Sequence, residues 1–191
     1  MSELPWLNAY SGQTTDELIA LGGAYRTDSI ILAFEQAIRS KAARVGYDNL
    51  TEAERVVLAV EGLEREVNNG GYDQLFRNVP EQVPELVMSL AAIGSSAVAD
   101  LTRSAIAALR IGGPLTPEAV EAAIDDENAD RDAELDALDQ AYDETAGDLA
   151  DQLLVFVKAN SAQIDLTRDM SGRPPLDRAA ERFRGLLSRF R

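Results

Sequence analysis

The sequence of 191 residues contains no cysteine and no histidine. Without cysteine there are no disulfide bonds, thiolate metal sites or cysteine nucleophiles. Without histidine the chain lacks the commonest general base and the commonest metal ligand in proteins. No apolar run approaches the roughly 20 residues that a membrane-spanning helix needs. We therefore expect no metal, no cofactor and no contact with a membrane, and acid–base chemistry would have to rely on carboxylates.

The first twelve residues, MSELPWLNAYSG, lack the basic and apolar regions of a signal peptide, so we expect a cytoplasmic protein. Hydrophobic residues make up 46% of the chain, which is enough to bury a sizeable core.

Acidic residues are in excess and are unevenly distributed. The formal net charge at pH 7 is −15, from 33 acidic and 18 basic residues. Residues 116–151 contain 14 of the acids and a single base, Arg131, whereas residues 152–191 carry a net charge of +4. A surface of negative sign repels nucleic acid and attracts basic partners. We therefore expect no direct binding of nucleic acid and assign the C-terminal arginines to charge balance with the acidic segment.

Apolar residues recur with helical spacing along almost the whole chain, and no convincing alternation of period two is present. The pattern predicts an all-α fold, a compact domain of seven to nine helices with an acidic helical part toward the C-terminus. Residues 112–114, Gly-Gly-Pro, cannot continue a helix, and Thr116 followed by Pro117 is typical of a new helix start. This break divides the chain into an N-terminal segment 1–25, a core domain 26–111, an acidic helical segment 116–160 and an arginine-rich C-terminal helix 175–190.

The stretch Asn-Asn-Gly-Gly at 68–71 is the most unusual local feature. Upstream, Asp28 is positioned to cap one helix. Thr51 and Glu54 have the spacing of a capping box that opens a second helix. We expect this second helix to end at Val67. Asn or Gly serves to stop a helix, and a short helix is expected again at 72–77. The polar residues here predict a hydrogen-bonded corner between two helices. A site for a small ligand is the alternative.

Residues 128–157 fit a single helix with one apolar stripe. At about 100° per residue, its leucines, Tyr142 and Phe156 share one side and the carboxylates lie away from it. Like charges at i,i+4 cost a few tenths of a kcal/mol per pair, so an acidic face almost without bases favours a functional role. Carboxylates about 5–6 Å apart could imitate successive phosphates to a basic protein. The candidate partner-binding residues are Asp125, Asp126, Glu127, Asp130, Asp132, Asp136, Asp139, Asp143, Glu144, Asp148 and Asp151.

The segments VNNGGYDQLFRN (67–78) and LAAIGS (90–95) resemble motifs of the bacterial DNA-mimic protein family, and the resemblance covers roughly residues 50–155. Leu75 and Arg77 depart from the motif at positions that are often aromatic. The matching residues are Val67, Asn68, Asn69, Gly70, Gly71, Tyr72, Asp73, Gln74, Phe76, Asn78, Ile93 and Gly94.

This resemblance implies an all-helical, acidic, non-enzymatic protein. It would occupy the DNA-binding surface of a transcription-factor-type protein and so regulate transcription. The mimic role depends on surface acids, so we interpret the motif as structural.

Other functions stay open. An immunity protein against a basic nuclease toxin would have the same acidic surface. A helical domain could instead bind a small ligand or a metal at 68–78. The sequence DDENADRD (125–132) offers oxygen ligands but lacks the residue order of a calcium loop. An enzyme would have to use a carboxylate pair such as Glu64 and Asp73. A homodimer is also compatible with the sequence.

Overall fold

The computed structural model describes residues 3–147 and 149–166. Within those residues the chain forms eight α-helices and no β-strand, so the predicted all-α fold of seven to nine helices is confirmed. The helices are α1 (Thr15–Ala20), α2 (Thr27–Val45), α3 (Glu52–Asn78), α4 (Val83–Ala92), α5 (Ser96–Ala108), α6 (Pro117–Asp125), α7 (Ala129–Thr145) and α8 (Leu149–Ala159).

The long helix α3 lies at the centre of the fold and packs against α2, α4, α6, α7 and α8. Its capping box forms as predicted, because Thr51 accepts a hydrogen bond from the amide of Glu54 and Glu54 accepts one from the amide of Thr51. Val57, Val60 and Leu63 are fully buried on its core-facing side. Burial of apolar side chains in this way supplies most of the stability of such a helix. The helix α5 completes the core by packing against α4 and α7.

The prediction that the helix opened by Thr51, α3, ends at Val67 is wrong. The helix continues through both asparagines, is interrupted at Gly70 and Gly71, and resumes to Asn78. Gly71 has a φ of +77°, a left-handed conformation that glycine adopts without the steric cost of a Cβ. The residues expected to form a separate short helix at 72–77 are therefore the C-terminal half of α3.

The prediction of one helix over 128–157 is also wrong. α7 ends at Thr145 and α8 begins at Leu149, with Gly147 between them at a φ of +54°. A left-handed residue stops a helix because it turns the chain out of the helical path. The carboxylates of α7 and α8 therefore do not lie along one straight ridge.

Local signals placed one helix start correctly and another one wrongly. Thr116 accepts a hydrogen bond from the amide of Ala119 at the start of α6, with Pro117 in the first position, as predicted. Asp28 is not the N-cap of α2, because Arg26 occupies that position. Asp28 instead lies in the first turn and pairs with Arg26 at 2.6 Å.

The acidic segment packs directly on the core, with α7 against α3 and α5 and α8 against α2 and α3. The division into segments 1–25, 26–111 and 116–160 stays a prediction. The arginine-rich helix at 175–190 lies outside the described residues. None of the helices in the described ranges combines the length and apolar character needed to cross a bilayer.

Candidate functional site

The acidic segment presents most of its carboxylates to solvent. Of the eleven residues predicted to bind a partner, Asp139 is half-buried and Asp148 lies outside the described residues. The exposed ones are Asp125, Asp126, Glu127, Asp130, Asp132, Asp136, Asp143, Glu144 and Asp151. The apolar side of α7, with Leu135 and Tyr142, is buried as predicted. The two helices α6 and α7 therefore turn a dense set of negative charges outward.

Arg131, the one base of residues 116–151, does not face solvent with these acids. It is only 3% exposed. Its Nη1 donates to the carbonyl oxygens of Ala123 at 2.6 Å and Asp126 at 2.8 Å, and its Nε and Nη2 donate to Asp132. These bonds satisfy carbonyls at the C-terminal end of α6, where no intrahelical partner exists. Arg131 therefore joins α6 to α7 and leaves the outer surface without a cation from this segment.

Among residues 3–147 and 149–166, few cations from elsewhere neutralise the acidic surface. Arg77 of α3 pairs with Asp125 at 3.2 Å, and Arg110, after α5, pairs with Glu134 at 2.7 Å. Arg77, which departs from the family motif, also donates to the carbonyl of Ile124 at 2.9 Å. Among the described residues, Glu127 and Asp130 make no hydrogen bond or ion pair. The same holds for Asp136, Asp143 and Glu144.

The Asn-Asn-Gly-Gly corner is closed by one residue of the acidic helix. The backbone amide of Tyr72, the first after the break in α3, donates to Oδ1 of Asp139 at 2.8 Å. A Cβ atom on Gly71 would lie 2.0 Å from Oδ2 of the same carboxylate. Glycine is thus required at position 71 for two reasons, the positive φ of this residue and the close approach of Asp139. The bond gives an acceptor to an amide that the interruption leaves without one.

The environment of Asp139 differs from that of its neighbours on α7. Burial raises the pKa of the Asp139 carboxyl above its usual value, and the charges of Asp136, Asp143 and Asp73 add to the rise. The hydrogen bond from Tyr72 lowers the pKa and only partly offsets these effects. Asp139 therefore belongs to the packing of the corner as well as to the acidic face.

A second carboxylate, Glu66, holds the two halves of α3 together across the break. It is buried and accepts from Arg65 at 2.9 Å, Gln74 at 2.9 Å and Asn78 at 2.8 Å. Although burial opposes the effect, the hydrogen bonds from Asn78, Gln74 and Arg65 lower the pKa of Glu66. Asn69 meanwhile donates to the carbonyl of Arg65 at 2.6 Å. The polar residues of the motif thus form the hydrogen-bonded corner that the sequence predicted.

The aromatic residue of the motif is part of the core. Tyr72 is fully buried, stacks edge-to-face on Tyr142 with ring centroids 6.1 Å apart, and lies 6.1 Å from the ring of Phe76. Its hydroxyl is 3.0 Å from that of Thr102 on α5. Burial raises the pKa of Tyr72 to about 12. Tyr72 therefore joins α3, α5 and α7 within the core.

The two carboxylates considered for catalysis, Glu64 and Asp73, have different surroundings. Asp73 pairs with Arg77 at 2.8 Å, whereas Glu64 lines a groove beside Glu61 to which Asp73 does not contribute. Within the described residues, no three acidic side chains converge in a way that could hold a metal ion. Sequence reasoning did not find the capping roles of Arg131 and Asp139, because their partners are distant in the sequence or are backbone carbonyls.

Residues 48–160 match the model of a protein family described as DMP19-like protein, and this range is more than half of the chain. The chain belongs to the DMP19-like protein family. DMP19 is a family of DNA-mimic proteins, so the family expected from the sequence is confirmed over this range. No curated protein and no solved structure matches the chain significantly. The range that matches the DMP19-like model includes the whole of α3 and all of helices α6 to α8.

Proposed function

We propose that the chain is a non-enzymatic protein that binds the basic surface of a DNA-binding protein and competes with DNA for it. The contact surface would be formed by the exposed carboxylates of α6, α7 and the start of α8. The observation that carries this proposal is the burial of Arg131, the one base of residues 116–151, which pairs with Asp132 and leaves the other exposed acids of the segment without a base from it. Membership in a family of DNA mimics supports the same function.

The electrostatics of this surface determine how it would bind. Each exposed ion pair with a partner contributes less than about 1 kcal/mol, so the carboxylates act together. A field of one sign raises the association rate and makes binding sensitive to salt, because added ions screen exposed charges.

The test is competition with DNA for a purified basic DNA-binding protein recovered from the source cell. The variant has Glu127→Gln, Asp130→Asn, Asp136→Asn and Asp143→Asn. The wild-type acids at these positions are exposed and make no hydrogen bond or ion pair with other described residues. A control variant with the same change in net charge has Asp16→Asn, Asp48→Asn, Glu52→Gln and Glu81→Gln, which are exposed elsewhere.

We expect the wild type and the control variant to displace DNA at about 50 mM salt and to lose binding at about 500 mM. The variant with the four substitutions in the acidic segment should fail to displace DNA at either salt concentration. Equal loss in the two variants would show that net charge alone matters and would overturn the proposal. A nuclease as the partner, with the same salt and variant dependence, would instead support an immunity function.

A further inference from the structure

A groove of about 300 Å³ lies between the N-terminal segment, α2, α3 and α8, and reaches the residues just before the break in α3. Its walls include Trp6, which is 46% exposed, and Leu32, which is 40% exposed. The rest of the lining consists of Asp28, Glu61, Glu64, Arg65, Asn68, Asn69 and Ala150. The groove thus combines apolar walls with carboxylates and contains none of the proposed partner-binding residues.

Glu61 is the unusual group in this groove. It is only 5% exposed, yet no described residue donates a hydrogen bond to it or forms an ion pair with it. A buried carboxyl group without a partner is costly, and such groups are normally hydrogen-bonded. Burial, with the charges of Glu64, Glu35 and Asp28 around it, raises the pKa of Glu61 to about 8, and Arg65 opposes the rise.

The cations near the groove are already engaged. Arg65 donates to Glu35 and, at 2.9 Å, to Glu66. Arg26 pairs with Asp28, and its guanidinium lies 5.4 Å from the centre of the Trp6 ring. Among the described residues, these pairings leave Glu61 at the wall of the groove without a cation of its own.

We propose that this groove binds an organic cation, an alkylguanidinium or alkylammonium group, whose charge pairs with Glu61 and whose alkyl body lies between Trp6 and Leu32. The contact would be a charge-assisted hydrogen bond to a carboxylate, the strongest kind available here. The apolar walls would cover the alkyl stem, as they do for arginine and lysine stems in proteins. The site does not depend on the proposed function, because it uses none of the acids of α6 to α8.

Binding at this site can be followed by intrinsic fluorescence, because Trp6 is the single tryptophan of the chain. Tryptophan fluorescence is recorded while the full chain is titrated with agmatine, an alkylguanidinium. We expect a saturable change. In the Glu61→Gln variant binding should weaken about tenfold or more, the loss expected for one charge-assisted hydrogen bond. The Glu121→Gln variant, exposed on α6, changes net charge equally and should bind as the wild type does.

A second variant keeps the test valid if Glu61→Gln fails to fold. Asn68 is exposed at the edge of the groove, so Asn68→Arg should fold and place the chain's own guanidinium there, blocking agmatine. Affinity of the wild type should also rise between about pH 6 and about pH 9, because proton and cation compete for one carboxyl group. The charges of Glu64, Glu35, Asp28 and Arg65 act on Glu61 and set the range of this change, and the buried phenol of Tyr142 on α7 also interacts with it.

A second probe, a blocked Gly-Gly-Arg-Gly-Gly peptide, distinguishes a protein side chain from a free small molecule as the source of the cation. Equal binding of peptide and agmatine would indicate a side chain from another protein, and binding of agmatine alone would indicate a free cation. Agmatine that gives no saturable response, or binds Glu61→Gln and Asn68→Arg as it binds the wild type, would overturn the site.

Discussion

The backbone amide of Tyr72 and the carboxylate of Asp139 are 2.8 Å apart, although 67 positions separate the two residues in the sequence. This bond joins the family motif to the acidic helix α7. It follows that the motif and the acidic surface are parts of one structure, and that one of the predicted partner-binding acids also stabilises the fold.

Replacing Asp139 by alanine should therefore destabilise the protein. Loss of a side chain that accepts from the first amides of a helical segment costs about 1–2 kcal/mol. Asp136→Ala, one turn earlier on the exposed side of α7, should cost less than about 0.5 kcal/mol. Urea unfolding of both variants measures the difference. Equal midpoints would mean that the Tyr72 bond contributes nothing to stability.

Gly71→Ala should be more damaging than Asp139→Ala. The new methyl group meets Asp139, and the residue must hold a φ of +77°, so we expect a cost of about 2–4 kcal/mol. Gly113→Ala is the matched control, because nothing lies within 4 Å of a Cβ there and its φ is not in the left-handed region.

The effects of Gly71→Ala and Asp139→Ala on the free energy of unfolding should not be additive. In an Asp139→Ala background the clash is gone, and Gly71→Ala should then cost only the strain of its φ. A double-mutant cycle measured by urea unfolding checks this, and additive costs would argue against the close contact.

Arg131 should act through its hydrogen-bonding geometry rather than its charge. Arg131→Lys keeps the positive charge, but lysine cannot donate to two carbonyls and a carboxylate at once. We therefore expect the free energy of unfolding to fall by about 2 kcal/mol or more. Arg110→Lys, at an exposed ion pair, should cost little. If the loss at 131 came from repulsion among acids, Arg131→Lys would be nearly neutral and added salt would restore the stability of an uncharged variant.

Glu61 should make the stability of the protein depend on pH in an unusual direction. Its pKa is about 8 in the folded chain against an ordinary 4.5, so between these values the folded state binds more protons than the unfolded state. The free energy of unfolding then falls as pH rises, by about 2–4 kcal/mol over this range. Glu61→Gln should remove this fall, whereas Glu121→Gln should retain it. Parallel curves for wild type and Glu61→Gln between pH 5 and 8 would contradict the raised pKa.

Features encoded by neighbouring residues could be predicted from the sequence. The capping box of Thr51 and Glu54 and the start at Thr116 each depend on residues three positions apart, and both formed. The apolar stripe of α7 predicted its buried side because helical periodicity relates residues one turn apart. The exposure of most candidate acids followed from the same periodicity.

Features that depend on packing between distant segments could not be predicted. No residue near Gly71 in the sequence predicts the contact with Asp139, and the two asparagines are helical up to the break at Gly70 and Gly71. The single glycine at 147 interrupts an apolar pattern that continues across it, so periodicity alone predicted one helix. The groove beside Glu61 draws its walls from four separate segments.

The division of labour among the acids of α7 affects how this protein can change over evolution. Asp130, Asp136 and Asp143 make no hydrogen bond or ion pair with other described residues, so substitutions there alter what the surface recognises and leave the fold as it is. Asp139 lacks that freedom, because the conformation at Gly71 and the amide of Tyr72 both depend on it. Relatives with different partners should therefore differ at the first three positions and share an acid at the fourth.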